Sequence, residues 1–396
     1  MARGRTPTTP FDLHPLLLAW LQDAAGVRVA DVRLSEADWT QVLADADRHA
    51  LSPLLHQQLE RERGMQVPPG IREALKGRAA AIVARNLLIW SACRAILQAA
   101  QHQGLACVPL RGVVLGWQLH GNLTLRPTGD VDLLVKRSQF PEIRRILTQR
   151  GFSEVEVRPG FAAEFEYTLE FFKPHPMPLV VEPHWTIAYP PLTGALEMSA
   201  VWGRCIEGRV EGLPLTLLGP EDLLLHLCLH ILHHGAAAPL LWFYELDRIV
   251  RAEEHRCKWP VFVEAATSAG LASLVQPVLR QIHTVFQSPI PETVFARLAE
   301  RGRMEPKRRT LALVTQALDV NGRERVATLL ELPEWSRKVR YAAGFLFPSP
   351  AFLRVQYGAT GWRLGWVYVR RLGRFFVLGV RLAVRLILPR HRSDGF

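Results

Sequence analysis

Between Trp335 and Ser393 the 396-residue sequence has no Asp or Glu, while twelve Lys or Arg fall in that stretch. The whole chain carries 48 basic and 37 acidic residues, so without those twelve the body holds 36 against 37 and is close to neutral. The net charge of +11 is therefore a property of the C-terminal tail, and it does not mark the body as a nucleic-acid binder. Cysteine is also scarce. The five that occur are scattered and never form a C-x-x-C pair, which argues against both a zinc ribbon and a disulfide framework. No run reaches the 18 uncharged apolar residues of a spanning helix, and Met1 to Pro10 lacks a signal-peptide apolar stretch. A cytoplasmic location is expected, extending to the inner membrane face if the tail binds lipid.

What is present reads as an ordinary folded chain: 48% of residues are hydrophobic and 21% charged. Its length predicts two or three packed units. Residues 11–104 show helical spacing, with Ser35-Glu36-Ala37-Asp38 as a capped start and Ile71 to His102 as one long alanine-rich helix closed by Gly104. Residues 105–190 change to short apolar runs separated by Gly and Pro. These predict strands at Ala106–Leu110, Val131–Val135, Glu154–Val157, Phe165–Phe172 and Leu179–Trp185, with helices from Gly112 and from an N-cap at Ser138. Helices return over 215–332, starting clearly at Pro220 with Glu221 and Asp222 in the first turn. The predicted fold class is α+β: a small mixed sheet flanked by helical regions, followed by a tail over 335–396.

The chemistry concentrates in Thr128-Gly129-Asp130-Val131-Asp132-Leu133-Leu134-Val135. On a strand, residues i and i+2 project to one face, so Asp130 and Asp132 can reach the same small cation. Glu182 is a lone acid in the apolar strand Leu179-Val180-Val181-Glu182, where burial without a cation would be costly, and it is the candidate third ligand. Three such carboxylates suit a two-metal site. Leu110-Arg111-Gly112 follows a strand and opens a helix, a place where backbone N–H groups meet phosphate. Arg126, four residues before Asp130, is placed to hold a triphosphate oxygen.

Taken together, Leu110-Arg111-Gly112, Leu125-Arg126-Pro127 and Gly129-Asp130-Val131-Asp132-Leu133-Leu134-Val135 resemble the nucleotidyltransferase superfamily with the DNA polymerase beta fold. More narrowly, the chain resembles a bacterial group described as uncharacterised nucleotidyltransferases. Asp38-Trp39, Glu182-Pro183-His184-Trp185, Leu223 through His230 and Trp242 to Asp247 extend that likeness over roughly residues 38–255. The resemblance implies two Mg²⁺ ions on Asp130, Asp132 and Glu182. It also implies a nucleoside triphosphate held by Arg111, Gly112, Arg126, His184 and His230, an unidentified acceptor, and pyrophosphate as product. A catalytically inactive nucleotide sensor or scaffold is the alternative, since Val113 stands where the superfamily usually has serine.

Two further patterns stand out. His226, His230, His233 and His234 fall at i, i+4, i+7 and i+8, but Leu227 occupies the place of a metalloprotease glutamate, so structural or substrate-contacting roles are expected ahead of zinc. Asp247 could pair with one of them or sit on a helix surface. In the tail, arginines 363, 370, 374, 381 and 385 recur in steps of 7 and 4, drawing a basic stripe beside an apolar surface over 361–388. Three occupants fit that stripe: a protein surface, its own or a partner's; an anionic membrane surface; and, less well, nucleic acid.

Overall fold

Among the described residues seven short strands organise the chain, and the helices on either side of them are what bury it. The computed structural model describes residues 11–387, apart from Asp12, 23–33, 63–65, His175, Pro191, 253–256, 304–324, 326–327, Glu331 and Ala359. The N-terminal region holds α1 (Pro15–Leu21), α2 (Glu36–Arg48), α3 (Ser52–Arg61) and α4 (Pro69–His102). The expected capping box opens α2: Ser35 Oγ accepts the Asp38 N–H, and Asp38 Oδ2 accepts the Ser35 N–H at 3.0 Å. Helix α4 is long and apolar enough to cross a membrane by length and composition. Its buried residues nevertheless recur at helical spacing, among them Leu75, Ile89, Trp90, Cys93 and Leu97, and it packs on α3, α6 and the first strand.

The sheet comprises β1 (Cys107–Pro109), β2 (Val131–Val135), β3 (Ser153–Val155), β4 (Glu170–Lys173) and β5 (Leu179–His184), in the order β1-β2-β5-β4-β3. Helices α5 (Gly112–His120), α6 (Phe140–Gln149) and α7 (Phe161–Phe165) connect them. The β2–β5 pair is parallel, and the other three pairs are antiparallel. Alternation puts Leu133, Val135 and Val181 on the face covered by α4 and α6, whereas Leu134 faces the second core. Every residue of β2 is buried, as a central strand covered on both faces requires.

That second core is shared. Leu17, Trp39 and Leu51 from the N-terminal helices belong to one apolar cluster with Leu224, Leu246, Phe262, Leu279 and Phe295. The later residues come from α9 (Pro220–His234), α10 (Leu240–Arg251), α11 (Trp259–Ser268), α12 (Ala272–Phe286) and α13 (Glu292–Gly302). Before these come α8 (Met198–Gly203) and a hairpin of β6 (Ile206–Val210) and β7 (Leu213–Leu217). The chain then continues in α14 (Trp335–Leu346), α15 (Pro350–Tyr357) and α16 (Trp362–Ile387).

Two local expectations are corrected, and one element has no counterpart among them. The strand expected from Phe165 begins at Glu170, because Gly160 at φ +80° opens a short helix whose Phe161 and Phe165 pack on Tyr341 of α14. Ser138 does not cap α6: it lies in a 3₁₀ turn, and the helix starts at Phe140 with Pro141 in its first turn. The β6–β7 hairpin went unread, although Glu211 and Gly212, both at positive φ, form a tight turn between alternating apolar residues.

Candidate active site

The loop from Gly121 to Asp130 delivers the first aspartate, and α4 holds that loop. Asn86 Nδ2 donates to the carbonyls of Leu123 (2.8 Å) and Arg126 (2.7 Å), and Arg85 donates to those of Thr128 (3.1 Å) and Gly129 (2.7 Å). On the other side Gly112 begins α5 at φ +66°, and a Cβ there would lie 3.1 Å from Thr128 Cγ2. Glycine is thus required twice over, for its conformation and for the close approach of the loop.

Asp130 directly precedes β2, and Asp132 sits within it. Across the parallel pair Asp132 is the register partner of Glu182, and His184 follows two residues on, on the same face. His184 Nε2 lies 3.2 Å from Asp132 Oδ1 and 3.5 Å from Glu182 Oε2. Ligand atoms of Asp132, Glu182 and His184 all lie within 4.8 Å of one another, the arrangement a metal ion needs. That group is two carboxylates and an imidazole that could hold a metal ion; Asp130, expected as a ligand, lines the same cleft but is not part of the group.

The two aspartates are perturbed in opposite directions. Repulsion from Asp132, then burial, pushes the Asp130 carboxyl up to about 6. Asp132 is driven the other way: burial raises it, but Arg111 and His184 outweigh burial and hold it below the usual carboxylate range. Arg111 bonds Asp132 Oδ2 at 2.5 Å. Burial lowers the His184 imidazole, yet its bonds to Asp132 and Glu182 prevail and raise it to about 9. Two protein cations thus stand against the carboxylates, as expected where charges are withdrawn from water.

Facing the carboxylates is an aromatic wall from α9, α10 and the segment after β5. Tyr189 stacks on His233 at 4.4 Å between ring centroids, and Trp242 lies 4.1 Å from the His230 ring. His230 contacts Arg111 Nη1 and the Tyr189 hydroxyl. Burial first, and Arg111 second, lower His226 to about 3 and His230 well below its usual value, so both are neutral. His226 Nδ1 donates to the Ile187 carbonyl at 2.8 Å, while its Nε2 is buried with no hydrogen-bond partner among the described residues. Among the described residues the metal-ligating group is Asp132, Glu182 and His184, with none from the α9 histidines.

One cleft of about 330 Å³ is lined by Arg111, Gly112, Arg126, Asp130, Asp132, Glu182, His184 and His230, the residues expected to bind metal or nucleotide; His233 and His234 also line it, whereas His226 and Asp247 are not among its lining residues. Arg126 does so from a buried bidentate pair with Glu245 on α10, at 2.7 and 3.4 Å. Asp247 meets no histidine; it bonds Arg251 and the Ser288 hydroxyl. Sequence reasoning missed Tyr189, Tyr167, Asn86, Arg85 and Glu245. A single signal was available, the polar pair Arg85-Asn86 inside an alanine-rich apolar helix.

A small mixed sheet that presents an aspartate pair at one strand and a glutamate on its parallel neighbour, with a glycine turn alongside, is an α+β arrangement consistent with a nucleotidyltransferase fold. The chain belongs to the family described as uncharacterised nucleotidyltransferase, whose model matches residues 35–287. Neither the curated proteins nor the solved structures give a match.

Proposed function

We propose that the protein transfers a nucleoside monophosphate from a nucleoside triphosphate to a nucleophilic acceptor in a Mg²⁺-dependent reaction. The observation that carries this reading is the register of Asp132 with Glu182, which brings the carboxylates together against the turn at Gly112. Asp130, Asp132 and Glu182 would hold two Mg²⁺ ions, which when bound polarise the acceptor hydroxyl and neutralise the leaving pyrophosphate. A bond forms between the acceptor oxygen and the α-phosphorus, and the α–β phosphoanhydride bond breaks. Glu182, one quarter exposed at the cleft, takes the acceptor's proton. Arg111 and the backbone N–H groups opening α5 face the triphosphate, with Arg126 fixed beside them by Glu245. The partly exposed indole of Trp242 in the cleft wall suits a nucleobase.

Titration calorimetry of Mg-ATP and the other nucleoside triphosphates against wild type, D130N and D132N, paired with a pyrophosphate-release assay, tests the proposal. Binding and release by wild type, both lost in the variants, are expected; identical behaviour of all three proteins would sink it. A second reading, a nucleotide sensor or scaffold without turnover, is favoured by Arg111, which occupies Asp132 Oδ2, an oxygen that an ion would use. Pyrophosphate release in the presence of cell extract separates the two.

A further inference from the structure

Helix α16 meets the rest of the protein along one side. Tyr368 donates its hydroxyl proton to the Pro348 carbonyl at 2.5 Å, and Arg371 donates to the Phe345 carbonyl and the Tyr357 hydroxyl at 2.8 and 2.9 Å. The opposite side is different in character. Trp362, Trp366 and Val369, at i, i+4 and i+7, share one face and are 80%, 58% and 68% exposed. Arg363 and Arg370 run alongside, and the Arg370 guanidinium lies 5.7 Å from the Trp366 ring centroid. Among the described residues, nine of the thirteen large hydrophobics that stand exposed lie at or beyond Trp335. The apolar exposure of this protein is thus gathered in the segment that contains no Asp or Glu.

We propose that this face of α16 seats on an anionic membrane surface, with Trp362, Trp366 and Val369 entering the headgroup layer and Arg363 and Arg370 bonding lipid phosphates. Three observations select this occupant. Tryptophan beside arginine is the chemistry of the bilayer interface, where an amphipathic ring needs an apolar and a wet end. A protein partner would more commonly be met by a charge-mixed rim, yet no acid lies between Trp335 and Ser393. Nucleic acid would use the arginines and leave the valine and the tryptophan edges unburied. The contacts of Tyr368 and Arg371 assign the other side of the helix to packing, and among the described residues the aromatic side stands exposed. An arginine near an anionic surface contributes about a fivefold change in partitioning, and the apolar insertion adds to it.

The full chain is mixed with vesicles of phosphatidylcholine and phosphatidylglycerol in roughly equal parts, or of phosphatidylcholine alone, and floated through a density gradient. Wild type is expected to float with the mixed vesicles and at least tenfold less with phosphatidylcholine alone. W362S/W366S should lose at least tenfold, and R363Q/R370Q should lose binding in low salt most of all. Both pairs are solvent-exposed, and an unchanged thermal midpoint checks their fold. Equal flotation of wild type and W362S/W366S would overturn the proposal. So would absence of flotation accompanied by concentration-dependent dimers, or binding confined to RNA and indifferent to the tryptophans.

Discussion

Asp132 and Glu182 are direct register partners across the parallel β2–β5 pair, fifty residues apart in the chain. In a parallel pair that position is fixed by the burial pattern of both strands. A slip by one residue would put Glu182 against Val131 or Leu133 and turn its carboxylate away from the cleft. The buried Leu133, Val135 and Val181 on the opposite face therefore hold the carboxylates together as firmly as any polar contact in the site.

Metal binding will be pH-dependent. Asp130, raised to about 6 by Asp132 beside it, is protonated below that pH and must give up its proton to serve as a ligand. Magnesium affinity measured by calorimetry is expected to fall about tenfold per pH unit below 6. In D130N the slope should disappear together with most of the affinity.

The metal-free protein will lose stability in alkali. The folded His184 value of about 9 lies above the ordinary 6.5, so its contribution is fully present below pH 6.5 and is lost as pH rises through 9. The shift corresponds to on the order of 3 kcal/mol. Urea unfolding of the chelator-treated protein at several pH values should show this decline in wild type, whereas H184Q should be nearly flat over the same window.

Arg126 and Glu245 form a buried pair, so R126M leaves an unpartnered carboxylate inside the protein. A loss of about 3–5 kcal/mol is expected. R126M/E245M removes the stranded charge and should recover most of that loss. If the two single substitutions simply add in denaturant titrations, the pair is not coupled as described.

Asn86 acts at a distance from the reaction by fixing the loop that ends at Asp130. In N86L the carbonyls of Leu123 and Arg126 lose their donor, at a cost of about 1–3 kcal/mol. The larger effect should fall on magnesium affinity, about 10–100-fold, as for other residues that orient ligands. An unchanged magnesium isotherm with a lowered thermal midpoint would assign Asn86 to stability alone.

The carboxylates were legible in the sequence because strand alternation is a local rule: Asp130 and Asp132 must share a face, and a lone Glu182 in an apolar strand needs a cation. Gly112 was legible for the same reason, as a turn between strand and helix. Arg126 was read as a triphosphate contact, and it reaches the cleft, yet its bidentate partner Glu245 lies 119 residues away and no local pattern announces such a pair. Tyr189 and the Asn86 clasp depend likewise on packing between distant helices. The β6–β7 hairpin, by contrast, was readable from Glu211-Gly212 and the alternation around it.

The core shared by the first and the later helices bears on how the chain is made. Gln22 of the N-terminal region donates to the Val285 carbonyl, 263 residues further on. At a synthesis rate of about 5–20 residues per second, the ribosome needs about 13–50 s to travel that distance. Through that interval Leu17, Trp39 and Leu51 wait without the helices that will cover them. The sheet, by contrast, gathers all five of its strands within 78 consecutive residues, from Cys107 to His184. The carboxylate-bearing strands can therefore pair on the ribosome well before the helical body around them is able to close.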